Sequence, residues 1–321
     1  MRKLRLLVAT ILMASVLSAC AIPHKKSSFP IEKVAANGSE TSDVFSRYRK
    51  VRNLAIQLTD PKPLSTVESG PLLAIDNGSF AIAQKLAEKQ KVDNSKLDVF
   101  GVRAPLVKKY PLWFTAKVRD NLRGVVKVQV FERATSVDPW LLVSSPEILV
   151  NTTLPALRGG PHGTFVPVGA KQKGDLSTTP QKVADDYAKV LENPKAPAVS
   201  EFENDGFIKQ MRTAVAANRL LKDVTFVQSW AADDVEFAAR TTDGGFLVWA
   251  TMLRLDGYGV KKGISVTFPE GSPQKAFLAK DITTSGKLRY YHQVLLYAPG
   301  PGGGKPRALG QYGGVVGADG F

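Results

Sequence analysis

The chain has 321 residues, a formal net charge of +14, 44% hydrophobic residues and one cysteine. That hydrophobic content supports a packed core and excludes global disorder. A lone cysteine excludes an internal disulfide and a Cys-based metal cluster, and the cationic excess directs attention to anionic partners.

Arg2, Lys3 and Arg5 precede an apolar run, Leu6 to Leu17, that ends in Leu17-Ser18-Ala19-Cys20. Crossing a bilayer takes about 20 apolar residues, so this run is too short to span and reads as an export signal. The small residues before Cys20 resemble the lipobox of bacterial lipoproteins. The resemblance implies that residues 1–19 are removed and that Cys20 carries a diacylglycerol and further acyl chains such as palmitate, enough to hold a protein at a membrane. Removing 19 residues from 321 leaves 302, enough for two domains, and takes the charge from +14 to +11. An exported chain does not meet nucleic acid. The expected partners are the membrane, through Cys20, and then anionic lipid, an acidic cell-wall polymer or an envelope protein.

Residues 20–41 hold no hydrophobic period and read as a lipidated tether. Val44, Tyr48, Val51, Ala55 and Leu58 then recur at helical spacing, with Ser42 as the expected N-cap and Asp60-Pro61 as the stop. A second helical region is expected from Leu64 to about Lys91, interrupted at Asn77-Gly78. From Leu97 the period changes to two. Strands are expected over Leu112–Val118, Val125–Glu132 and Pro139–Val150, with a hairpin turn at Asn121–Gly124. The turn-rich stretch that follows reads as the connection between halves.

The second half repeats the order. Helices are marked by Val183, Tyr187, Val190 and Leu191, then by Phe207, Met211, Ala214, Asn218 and Leu221. Strands follow at Val224–Trp230, Val235–Thr241 and Phe246–Leu255, with Asp243-Gly244 as a hairpin turn. Phe246–Leu253 is apolar on both faces and should be central. A last pair, Leu288–Tyr297 and Arg307–Val316, flanks the loop Pro299–Pro306. Helices followed by a strand meander, twice, predict an α+β chain of two domains, 42–155 and 179–321, joined by a linker over 156–178. In each, N-terminal helices should pack on a curved antiparallel sheet.

Tyr48 with Asn53, Thr66-Val67-Glu68-Ser69-Gly70, Val130-Phe131-Glu132 with Trp140, and Thr242-Asp243-Gly244-Gly245 resemble an uncharacterised family of actinobacterial cell-envelope lipoproteins. The helices-then-sheet plan also resembles the nuclear-transport-factor-2-like or cystatin-like cone, which implies a sheet-lined pocket or an assembly surface. Both resemblances imply location and architecture, with no activity assigned.

Few residues in the sequence point to catalysis. His24, His162 and His292 show no metal-ligand spacing, and neither a Gly-x-Ser-x-Gly elbow nor an HExxH motif occurs. His292 alternates with Tyr290 and Val294 and reads as a core histidine. Gly302-Gly303-Gly304-Lys305 departs from a phosphate loop, because Pro306 follows the lysine. Asp185-Asp186 and Asp233-Asp234 are sequence neighbours, whereas a glycosidase pair faces across about 5–10 Å. No metal or cofactor is expected. The expected function is a non-enzymatic binding or assembly module of the cell envelope, lipid-anchored on the extracytoplasmic side. The alternative is an envelope hydrolase or transferase whose site is built from dispersed residues around His162 or Glu68.

Overall fold

A computed structural model describes residues 33–320 apart from 89–91, 93–97, 150, 174–175 and 279. The export segment, Cys20 and residues 20–32 of the tether lie outside them. The described residues hold five α-helices and twelve strands, and Lys33–Phe321 groups as one compact unit.

The fold begins earlier than the helical period suggests. Strand β1 (Lys33–Val34) pairs antiparallel with β3 (Leu106–Val107), and Ala35 and Ala36 are buried. Helix α1 (Gly38–Leu58) is capped by Asn37 rather than Ser42. The Asn37 side chain accepts from the Glu40 amide at 2.8 Å, satisfying one of the orphan donors of the first turn. Thr59, in the left-handed region at φ 50°, closes the other end. The second helical region divides into a 3₁₀ turn at Lys62–Thr66 and helix α2 (Gly70–Lys85). The expected break at Asn77-Gly78 does not occur. Leu72, Ile75, Phe80 and Ala83 are all buried along α2, and this packing overrides the local turn preference.

The first sheet runs β2 (Asp98–Arg103), β4 (Leu112–Asp120), β5 (Val125–Arg133), β6 (Leu141–Ser144), with β7 (Glu147–Leu149) also on β5. The strand expected over Pro139–Val150 is two strands, because Ser145-Pro146 interrupts it. Proline has no N–H for the ladder, although its carbonyl still accepts from Val128 at 2.9 Å. Strand β2 lacks a clean alternation, since Gly101 at φ 63° sits where its register against β4 shifts.

In the second half, helices α3 (Pro180–Glu192) and α4 (Gly206–Arg219) precede β8 (Val224–Ala232), β9 (Phe237–Arg240), β10 (Phe246–Val260), the short helix α5 (Pro273–Phe277), β11 (Ser285–Ala298) and β12 (Arg307–Gly320). The sheet order is β12-β11-β10-β8, with β9 on β10, so Phe246–Leu253 is central as expected. All pairings in both sheets are antiparallel. The α+β class stands, with helices packed on an antiparallel sheet in each half.

The apolar clusters show how the layers stack. Phe45 of α1 and Leu72 of α2 pack on Phe114, Phe131, Trp140 and Leu142 of the first sheet. Tyr187 of α3 and Ile208 of α4 pack on Phe246, Val248 and Met252 of the second. The remaining faces of the two sheets meet each other, where Trp113, Val126, Val128 and Val130 contact Phe237, Leu247, Trp249 and Leu295. The order is helices, sheet, sheet, helices. Two buried polar groups pin that middle layer. Trp249 Nε1 donates to the Val128 carbonyl at 3.1 Å, and Gln293 accepts from Ser145 N and donates to Val143 O, both at 2.8 Å. Helix α2 ties the halves a second time. A Cβ on Gly78 would overlap the Val315 carbonyl oxygen of β12, so only glycine allows this approach.

Candidate functional site

A groove of about 410 Å³ opens between the N-terminal half of α1 and the end of the first sheet. Ser39, Glu40, Asp43, Val44 and Arg47 line it from α1, Phe131 and Arg133 from β5, and Asp138, Pro139 and Trp140 from the loop that leads into β6. Its back is aromatic. Phe114 and Phe131 stack at 5.0 Å, and Phe45 and Trp140 meet them edge-on. Its rim is polar and held in place by its own hydrogen bonds. Glu40 Oε1 accepts from Trp140 Nε1 at 2.9 Å and from Arg133 Nη1 at 3.2 Å. Arg133 also donates to the carbonyls of Asp138 and Ser136, at 3.0 and 2.8 Å. Arg47 donates to the Thr66 carbonyl at 2.7 Å.

Tyr48 links the groove to a charged cluster beneath it, since it lines both the groove and the small cavity beside Arg52, Asp76 and Tyr312. Its hydroxyl donates to Glu68 Oε1 at 2.9 Å. Arg52, one helical turn on from Tyr48, reaches Glu68 at 3.3 Å and forms a close ion pair with Asp76. Asp76 also accepts from the Tyr312 hydroxyl of β12. Glu68 and Asp76 are almost wholly buried, and Glu68 Oε2 has no hydrogen-bond partner among the described residues.

The two carboxyls are driven apart. Burial, and next the Asp76 carboxylate, push Glu68 well above the usual carboxylate range. Burial would raise Asp76 too, but the Arg52 guanidinium and the Tyr312 hydroxyl outweigh it and hold Asp76 low. The cluster therefore favours a charged Asp76–Arg52 pair with a protonated Glu68 at its side. Such a group can donate a hydrogen bond, but Glu68 exposes almost none of its surface to the groove.

A second buried polar cluster lies on the helix-facing side of the second sheet. Arg254 Nε donates to Asp256 Oδ1 at 2.8 Å, and Gln228 donates to the same oxygen at 2.8 Å and accepts from Trp230 Nε1 at 2.7 Å. The Arg254 guanidinium lies 4.2 Å from the centre of the Tyr290 ring. His292, buried among Trp230, Phe207 and Tyr290, is drawn down to about 4 by burial and by the Arg254 charge.

The residues singled out in the sequence do not converge. Cys20 lies outside the described residues. His162 is exposed in a 3₁₀ turn, at φ 56°, and lines neither the groove nor the small cavity. Glu68 is buried in the charged cluster instead. Asp186 pairs with Lys182 and Lys189 on α3, while Asp233 caps the backbone of Asp234. Lys305 sits in the loop between β11 and β12. His292 is the core histidine its alternation implies. No cluster of three or more potential metal ligands occurs among the described residues, and no described helix is long and apolar enough to cross a membrane.

Arg52, Asp76 and Tyr312 carry no signal of a site in the sequence: Arg52 lies one turn from Tyr48 on α1, but Asp76 comes from another helix and Tyr312 lies 236 residues beyond Asp76. A family model described as "Domain of unknown function (DUF8094)" matches residues 34–320. An "Uncharacterized lipoprotein" of Streptomyces avermitilis is 24% identical over 297 residues, covering 90% of this chain and 86% of that protein. No solved structure matches.

Proposed function

We propose, for a chain that belongs to the DUF8094 family, a lipid-anchored binding module on the extracytoplasmic face of the cell membrane. Cys20 carries the acyl chains, residues 20–32 give reach, and the groove beside α1 holds an envelope ligand. The name of the Streptomyces relative supports the lipoprotein part of this reading. The architecture proposed with it is two sheet-bearing halves on the nuclear-transport-factor-2-like plan, within one compact unit that starts at Lys33 rather than at residue 42.

One observation carries the binding role. The groove has an aromatic back and a rim whose Glu40, Arg133 and Trp140 are fixed by one another. Pre-ordered walls reduce the entropy lost when a ligand is immobilised. Acidic Glu40, Asp43 and Asp138 stand beside Arg47 and Arg133 around it. That mixture suits a ligand with hydrogen-bonding edges and an apolar face, as a saccharide has, better than a polyanion.

The anchor is tested by fractionating host cells that carry the parent or Cys20→Ala. The parent should sediment with membranes after a high-salt wash, and the variant should not. A variant that stayed firmly bound would remove the lipid anchor from the account.

A further inference from the structure

Two adjacent turns at the far end of the second half carry an arrangement that neither the groove nor the anchor uses. Register pairs Val224 of β8 with Val260 of β10, which sets Leu220–Asp223 beside Lys261–Ile264. The turns are locked together, because Lys261 N donates to the Asp223 carbonyl at 3.2 Å and Lys261 Nζ pairs with Asp223 Oδ1 at 2.6 Å. Leu220 is 85% exposed, Leu221 40% and Ile264 39%. Arg219, Lys222, Lys261 and Lys262 are exposed among them, and Asp223 is the one carboxylate in the two turns.

Single exposed leucines need no explanation. Three large apolar side chains on two tied turns, surrounded by four cations, differ from that background. Leu220 is almost fully exposed, and a deformable surface can receive it where a rigid partner would need a matching pocket. Cations beside apolar groups are the composition that adsorbs to an anionic bilayer, the charges meeting headgroups while the apolar side chains enter the acyl boundary.

We infer that the paired turns Leu220–Asp223 and Lys261–Ile264 are a second membrane contact, one that docks this end of the molecule on anionic lipid. The contact is separate from acylation of Cys20 and goes beyond the groove. The charges set its attraction, so it weakens with salt, and Leu220 and Leu221 enter the interface first.

The test places a polarity-sensitive fluorophore on Leu220→Cys in the full chain carrying Cys20→Ser, which leaves one thiol. Vesicles of phosphatidylcholine alone are compared with vesicles containing phosphatidylglycerol. Blue-shifted emission is expected on the anionic vesicles only. Lys222→Glu with Lys262→Glu should weaken apparent vesicle affinity at least about tenfold, and the same dye on Val137→Cys, 90% exposed elsewhere, should stay water-like. Thermal melts of the labelled variants confirm that the fold is kept, as expected for exposed positions. Water-like emission from position 220 on both vesicle types would overturn the proposal, as would an equal shift on phosphatidylcholine. A shift with soluble polyglutamate but not with lipid would overturn it as well, assigning the turns to an acidic protein partner.

Discussion

Glu68 and Asp76 share one buried site yet titrate in opposite directions, and the linkage signs differ accordingly. The folded state keeps a proton on Glu68 that the unfolded chain gives up above the ordinary glutamate range. That contribution is fully present below the ordinary range and is lost as pH rises through the folded value. Glu68→Gln should therefore be at least as stable as the parent in alkaline buffer, read as the denaturant midpoint against pH. A variant that lost stability most at high pH would contradict the assignment. Asp76 behaves conversely, because its depressed value stabilises the fold above the ordinary aspartate range and the benefit disappears in acid. Asp76→Asn takes away the close charge partner of Arg52 and leaves it only Glu68, at 3.3 Å. Breaking a buried pair costs about 3–5 kcal/mol, and the partial exposure of Arg52 reduces this to about 2 kcal/mol. His292 adds a further acid limit. With its folded value near 4, below the ordinary histidine value, stability should fall as pH drops from about 6.5, by about 3 kcal/mol at pH 4. His292→Gln should flatten that part of the profile.

Among the elements, α2 shows best what local sequence conveys and what it leaves out. Its apolar residues predict a helix, but Asn77-Gly78 reads as an interruption. The glycine is there for tertiary reasons, since the Val315 carbonyl oxygen occupies the space a Cβ would need. Gly78→Ala should cost about 1–3 kcal/mol despite the better helix propensity of alanine, measured as a shift in melting temperature. A stabilised variant would mean that α2 and β12 do not meet this closely. The other strands and helices were legible wherever a period of two or 3.6 was bounded by turn residues, as in β4, β5, β10 and α3. Strand β2 and the division of β6 from β7 were not, because a bulge at Gly101 and the proline at 146 break the period. The charged cluster was only partly legible. Tyr48 and Glu68 stood out by resemblance, but their partners come from α2 and from β12 near the end of the chain, and no local pattern announces such a contact.

For the whole molecule, the consequence of the helix–sheet–sheet–helix order is that neither half buries its inner sheet face alone. Trp113, Val128 and Val130 on one side depend on Trp249, Leu247 and Leu295 on the other. Both halves are expected to unfold in one cooperative transition, followed by calorimetry and tryptophan fluorescence together, whereas two resolved transitions would show that they are energetically independent. Gln293→Leu leaves the Ser145 N–H and the Val143 carbonyl without their partner across this layer. It should cost about 1–3 kcal/mol without dividing the transition. The same order leaves the groove beside α1 on the outer side of the first sheet, fixed against a core that spans the molecule. Native mass spectrometry of the full chain, extracted from host membranes in mild detergent, reads whether a ligand occupies the groove. A discrete added mass is expected, and Val44→Trp, which fills the groove, should abolish it. A bare polypeptide mass beyond the acyl chains, or an added mass that Val44→Trp retains, would contradict a ligand in the groove.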